Sequence, residues 1–422
     1  MIERQGFAKL LPSSNSTCSA FTWDDAHMHR RALLFTVLGV IAIVAIAQSN
    51  PPERFRTMSQ QAETRGLAEP YKGVTTSGEP VRGLFPLRVT GVSTEPVRHA
   101  AEKLLESLSA EQRARTTFNV DDDEWRKWMN QHFYVRQGVS FEEMNAGQRE
   151  AALALLAASL SARGLRLSRD IMKLNHTLGE LNDDNFAEYG EWLYWITIMG
   201  EPSATEPWGW QLDGHHLIIN YFVLGSQIVM TPLFVGSEPV IAQSGKYKGT
   251  AILQQEQTDG LRMFAALTPE QQKLALIQAA KTGNNNLAEA FKDNLALDYA
   301  GVPVRSLTQA QKKQFLDLVR RFVDNMKEGH ARVRMEEVAA HLDETYFAWI
   351  GAANEDAVFY YRIHSPVILI EFDHQSPANL RHLLQPGAPN RQHIHVVVRT
   401  PNGADYGKDL LRQHYEQHPH PN

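Results

Sequence analysis

Cysteine is nearly absent from this sequence: Cys18 is the only one in 422 residues. A chain read from Met28 would hold none, which excludes disulfides, thiolate nucleophiles and Cys-ligated zinc. Basic runs are missing too, and the formal net charge is −6. Phosphate neutralisation needs clustered Lys and Arg, so no nucleic-acid partner is expected. There is no Gly-x-Ser-x-Gly elbow; Gly225-Ser226-Gln227 and Gly236-Ser237-Glu238 come nearest and read as turns between strands. Neither a Walker loop nor a dinucleotide fingerprint occurs, so a nucleotide cofactor is not expected. What is present is a 43% hydrophobic content, enough at this length for one large domain or two closely packed ones.

Met28-His29-Arg30-Arg31 leads into an apolar run from Ala32 to Ala47 that ends in Ala45-Ile46-Ala47. A basic start, a short apolar stretch and an Ala-x-Ala exit describe a secretory signal peptide, and the run is short for a membrane span. Residues 28–47 are therefore read as a signal peptide and 1–27 as a misassigned start. The expected location is periplasmic or secreted, with membrane association only if the segment stays uncleaved. Residues 48–99 follow as a linker or wrapped arm, rich in Pro, Gly, Ser and Thr as far as Pro86 and without apolar periodicity.

From residue 100 to 422 the pattern changes. Ser109, Asn145, Thr268 and Thr308 each precede a Gln by three positions and follow a hydrophobic residue, which predicts four helix starts closed by capping boxes. Two strand-rich stretches echo each other. Trp195-Ile196 leads to Trp210–Phe222, and Trp349-Ile350 leads to Tyr361–Phe372; Trp210 aligns with Tyr361, Asp213 with His364, His216 with Val367 and Asn220 with Glu371. The fold expected is α+β, two related antiparallel β units covered by capped helices.

Polar chemistry concentrates at Gly214-His215-His216, opening an apolar strand-like run, and at His393-Ile394-His395. On a strand His393, His395, Val397 and Arg399 share a face, and a His-x-His pair offers two imidazoles to one metal ion. Only one of His215 and His216 can face the same site; His216 is preferred, with the other behind it. Asp213, Glu371 and Asp373 are candidate carboxylates. The metal-ligand set is thus His215, His216, His393, His395 and Asp373, and the catalytic set Asp213, Glu371, Arg362 and Arg399, the arginines holding an anionic group or oxyanion. Nitrogen and oxygen donors favour a divalent metal, zinc first and copper or iron next. Ten of the seventeen histidines lie between His330 and His420, so hydrogen-bonded structural histidines are the competing reading. His414 and His418 read as a solvated helix end. Asp405 and Tyr406, leaving the His-x-His strand, fit a loop that caps a helix or lines the pocket.

The strings GWQLDGHHLIINYF, YYRIHSPVILIEFD and HIHVVVRTPNGADYGKDLLRQHYEQH resemble the DUF3500 family, bacterial proteins without an assigned function. The resemblance runs from about Ala100 to His418 and implies a shared fold but no activity. Two functions remain open on the residues: an exported metal-dependent hydrolase acting on a small-molecule substrate, and an exported protein that binds a small ligand without turnover.

Overall fold

The computed structural model describes residues 52–418. The segments read as misassigned start and signal peptide lie outside the described residues. Among the described residues no helix is long and apolar enough to cross a membrane. The stretch read as an arm contains α1 (Glu53–Gly66). The reading of this stretch as lacking apolar periodicity is corrected: Phe55, Met58 and Ala62 are spaced by three and four, Phe55 packs against His132 and Phe133, and the Glu, Gln, Ala and Arg residues between are good helix formers. Beyond it the chain wraps the domain, with Val74 and Phe85 buried.

The chain then runs twice through one order of elements. The first pass has α2 (Glu95–Ser107), α3 (Ala110–Thr116), short strands β1 (Thr117–Phe118) and β2 (Val139–Ser140), α4 (Ala146–Ser159), α5 (Ala162–Glu180) and one turn of helix, α6 (Phe186–Tyr189). It closes with β3 (Tyr194–Met199), β4 (Trp208–Gly214), β5 (Leu217–Leu224), β6 (Gln227–Val229) and β7 (Leu233–Ser237). The second pass has α7 (Gln254–Ala265), α8 (Pro269–Ala275), β8 (Leu276–Gln278), β9 (Val302–Pro303), α9 (Gln309–Val323) and α10 (Glu328–Ala340). Strands β10 (Tyr346–Gly351), β11 (Phe359–His364), β12 (Leu369–His374) and β13 (Ile394–Arg399) follow, then α11 (Lys408–Gln417). In both passes the first short strand runs parallel to the first long one, and the second runs antiparallel to it.

The long strands run antiparallel in the order β3-β4-β5-β7-β13-β12-β11-β10, the parallel short strands β1 and β8 making the sheet mixed, and the two meanders meet at the β7–β13 pair. The hairpin registers agree with the sequence echo: Trp210 lies opposite Tyr221 as Tyr361 lies opposite Phe372, and Asp213 opposite Ile218 as His364 opposite Leu369. The Trp-Ile part of the echo is out of step. Trp195 faces Asp213 while Tyr346 faces His364, so the counterpart of Trp195 is Tyr346, not Trp349.

All four capping boxes form, each with reciprocal bonds. They also work in pairs. Gln148 donates to Gln112 Oε1 at 2.8 Å, and Gln311 to Gln271 Oε1 at 2.8 Å, so each pass pins its two helix starts together.

Strand alternation gives the sheet two different faces. Ile196, Trp210, Leu212, Ile219, Tyr361, Phe372, Ile394 and Val396 point into a large apolar core closed by helices. Trp208, Trp349 and Phe359 also sit here; Tyr361 stacks on Phe372 at 4.9 Å, a geometry worth about 1 kcal/mol beyond area burial. The opposite face mixes Phe222, Phe234 and Val397 with buried Gln211, Asp213, Asn220, Glu371, Asp373, His395 and Arg399. Those polar groups need partners, and the loops that cover this face supply them.

Candidate metal centre

The β4–β5 connection is as short as a hairpin allows: Gly214 pairs with Leu217, leaving His215 and His216 as the two turn residues. This corrects the reading of both as strand residues. His216 takes a left-handed backbone, φ 60°, a conformation costing a non-glycine residue about 1 kcal/mol or more. The turn sends the two imidazoles different ways. His216 reaches the β7–β13 seam, where His395 faces Gly236 on one side and Asp373 on the other. His393 immediately precedes β13. Gly236 makes room for them: a Cβ there would lie 2.5 Å from Ile394 O and 3.3–3.4 Å from the rings of His395 and His216.

The Nε2 atoms of His216, His393 and His395 form a triangle with sides of 3.0, 3.1 and 3.3 Å. Imidazoles bound to one tetrahedral ion at about 2.0–2.1 Å would place their nitrogens about 3.3 Å apart, so the triangle fits within a few tenths of an ångström. The other ring nitrogens settle the proton count. His393 Nδ1 is 2.8 Å from Ser376 O and His395 Nδ1 is 2.7 Å from Glu289 Oε1. A carbonyl and a carboxylate only accept, so these Nδ1 atoms carry protons and both Nε2 atoms present lone pairs. Lone pairs 3.0 Å apart repel unless a cation lies between them. Protonation is a poor answer, because burial holds His216 and His395 well below the usual imidazole range, and His393 below it, and the neighbouring rings oppose a charge on His216 and His395. A divalent metal suits three neutral imidazole donors.

Two loops hold the imidazoles from behind. The segment Asn285–Glu289 brings Glu289 to His395, and Asn286 Nδ2 donates to the same Glu289 Oε1 at 3.0 Å. Burial pushes the Glu289 carboxyl up to about 7. Ser376 lies at the start of a second segment whose Ala378, Asn379 and Leu380 amides donate to the fully buried Glu238 carboxylate. A carboxylate or carbonyl on Nδ1 of a ligating histidine fixes its tautomer and raises its basicity.

The remaining predicted residues lie elsewhere. His215 stacks on His216 at 4.0 Å, but its Nδ1 pairs with Asn175 Oδ1 at 2.7 Å, so it backs the site without entering the triangle. Asp373, counted with the ligands, binds the Asn285 and Asn286 amides and the buried Lys281 ammonium; burial pushes it up to about 7. Asp213 is paired with Arg136 at 3.0 Å. Glu371 accepts from Leu287 N, Ala288 N and Tyr360 OH. Arg362 faces Glu371 across the β11–β12 pair. Arg399 is fully buried between Asp293, Asp405 and the carbonyls of Ala288 and Glu289, so four of its five N–H donors are committed to the protein itself. Asp405 accepts from Thr400 N and pairs with Arg399, closing its own loop rather than capping α11. Tyr406 bonds Asp293 and Trp128. His414 and His418 stand at the end of α11.

Sequence reasoning missed Glu289 and Ser376, and it read Gly236-Ser237-Glu238 as a turn, whereas Gly236 and Ser237 lie inside β7, with Gly236 opposite His395. Neither Glu289 nor Ser376 lies in a periodic segment beside a histidine; the Asn284-Asn285-Asn286 run, unusual ahead of an apolar pair and a Glu, was the one available signal.

A family model described as a protein of unknown function, DUF3500, matches residues 90–408. No curated protein and no solved structure matches the chain.

Proposed function

The chain belongs to the DUF3500 family of proteins of unknown function, and from that starting point we propose that it is an exported metal-dependent hydrolase working at His216, His393 and His395. One observation carries the reading: three buried Nε2 atoms converge within 3.3 Å, and two of them belong to rings whose protons are committed to the far side. Zinc is the first candidate, copper and iron the next. Held there, such an ion supplies Lewis acidity and an acidified water, the chemistry that cleavage of an ester, amide or phosphoester needs. His395, oriented by Glu289, and His393, oriented by Ser376, keep their Nε2 atoms on the site. Glu289 uses Oε1 for His395 and Asn286, which leaves Oε2 to take up and return a proton beside the site. The apolar segment Ala32–Ala47 supports action after export.

A second reading, a protein that holds a metal or small ligand without turnover, is favoured by burial: His216, His393 and His395 are only 5%, 3% and 6% exposed. The deciding experiment uses protein purified without a histidine tag. Elemental analysis should find near-stoichiometric zinc, copper or iron in the wild type and none in the His393→Ala/His395→Ala variant. A panel of ester, amide and phosphoester substrates then separates the readings: metal-dependent turnover supports the hydrolase, and bound metal without turnover supports the binding protein. A metal-free wild type that takes up none of these ions would sink both metal readings.

A further inference from the structure

We infer that Glu371 is a positioning residue for the metal centre: it holds the backbone of Leu287 and Ala288 so that Glu289 meets His395, and through that pair it sets how tightly an ion is held. The inference rests on the metal reading above.

Glu371 is wholly buried on β12. Its carboxylate accepts from Leu287 N at 3.0 and 3.1 Å, Ala288 N at 2.8 Å and Tyr360 OH at 2.6 Å. Two residues along, Asp373 accepts from Asn285 N at 2.6 Å and Asn286 N at 3.1 Å. From β13, Arg399 donates to Ala288 O and Glu289 O, each at 3.0 Å. The backbone from Asn285 to Glu289 is neither helix nor strand, yet side chains from the polar sheet face grip every residue of it.

This is an expensive way to fasten a loop. Burying carboxylates costs several kcal/mol each before their bonds compensate, and apolar packing of similar volume is often as stable. What the charged grip adds is placement. Carboxylate bonds to successive amides fix the path of the backbone to a few tenths of an ångström, and that path determines whether Glu289 Oε1 reaches His395 Nδ1 at 2.7 Å. Glu238 does the same for the loop beside His393, so both predicted strand ligands have a partner delivered by a loop that a buried carboxylate organises. Partners of this kind typically change metal affinity 10–100-fold when removed.

The test is a double-mutant cycle on the full chain, with Co(II) as the probe. Affinity is read by competition with a chelator, and coordination geometry by the visible absorption of the bound ion. Glu371→Gln should weaken Co(II) about 10–100-fold and shift the absorption bands. Glu289→Ala should do the same, and the double variant should bind no more than about threefold weaker than Glu289→Ala alone. A merely structural Glu371 would lower the melting temperature while leaving affinity and spectrum of the folded protein unchanged. That result, or losses that multiply in the double variant, would overturn the inference while the metal reading stands. If Glu371→Gln does not fold, Tyr360→Phe removes one bond to the same carboxylate; a loss of about three- to tenfold that vanishes in the Glu289→Ala background supports the inference, and an unchanged affinity overturns it. A wild type that binds no Co(II) would overturn the metal reading and this inference together.

Discussion

Glu289 Oε1 and His395 Nδ1 stand 2.7 Å apart across 106 residues of sequence. The contact fixes which nitrogen of His395 carries the proton and so leaves Nε2 as a donor toward His216 and His393. It also joins a loop of the second half to the strand that seams the two halves together.

His215 and His216 are neighbours in sequence with separate duties. His216→Phe should abolish stoichiometric metal in elemental analysis, whereas His215→Phe should retain it. The His215 variant should still lose about 1–3 kcal/mol of stability, because Asn175 Oδ1 loses its partner in a buried setting. Metal loss in both variants would show that His215 is a ligand after all.

Gly236→Ala should damage the centre without touching a histidine. The new Cβ meets Ile394 O at 2.5 Å, so β7 and β13 must separate and the triangle must open. A destabilisation of about 1–3 kcal/mol and a loss of at least about tenfold in metal affinity are expected. Wild-type affinity in a folded Gly236→Ala protein would contradict this geometry.

Asp213 belongs to the fold, not to the chemistry. Burial pushes it up to about 6, while Arg136 at 3.0 Å works to keep it ionised. Arg136→Met strands a buried carboxylate and should cost about 3–5 kcal/mol in urea unfolding; the double variant Arg136→Met/Asp213→Leu should recover the part owed to that charge, while the carbonyls of Met129, Gln131 and Tyr134 that Arg136 also holds keep the rest lost. Failure of the double variant to recover would mean that the pair contributes more than charge neutralisation.

The pH dependence of stability should carry the mark of Glu124. Its side chain is buried with Oε2 3.4 Å from Lys127 Nζ, and burial outweighs that cation and pushes the carboxyl up to about 8. Unfolded, it titrates near the ordinary value of about 4.3. Between these values the folded protein keeps a proton that the unfolded chain has released. Stability is therefore complete below the unfolded value and declines as pH rises through the folded one, by at most about 1.4 kcal/mol per pH unit. Glu124→Gln removes that term, so urea unfolding at pH 5, 6.5 and 8 should favour the variant increasingly as pH rises. Parallel wild-type and variant profiles would refute the assignment.

Much of this architecture is legible in local pattern. The capping boxes at Ser109, Asn145, Thr268 and Thr308 are short-range devices, a side chain and an amide three residues apart, and need no tertiary context to be read. The hairpin echo is legible for a similar reason, since register follows from alternation and turn length. Helix α1 is marked only by Phe55, Met58 and Ala62, an apolar stripe too sparse to stand out from the polar residues around it. Alternation places Glu371, Asp373 and Arg399 among the polar residues of one sheet face, but a strand pattern reports only which face a side chain takes, not what waits opposite. What waits there is the backbone of Asn285–Glu289.

The sequence alone therefore determined the α+β class, the capped helix starts and the repeated units, because each depends on spacing within a few residues of chain; that His216 meets His393 and His395, 177 and 179 residues away, was decided by the sheet order. Tertiary structure alone decided that His215 and His216 form a turn, that Gly236 leaves room for the rings, and that Glu289 is the carboxylate beside the centre. Those outcomes depend on which segments the sheet order brings together, and contacts across 106 residues leave no periodic trace in the chain that makes them.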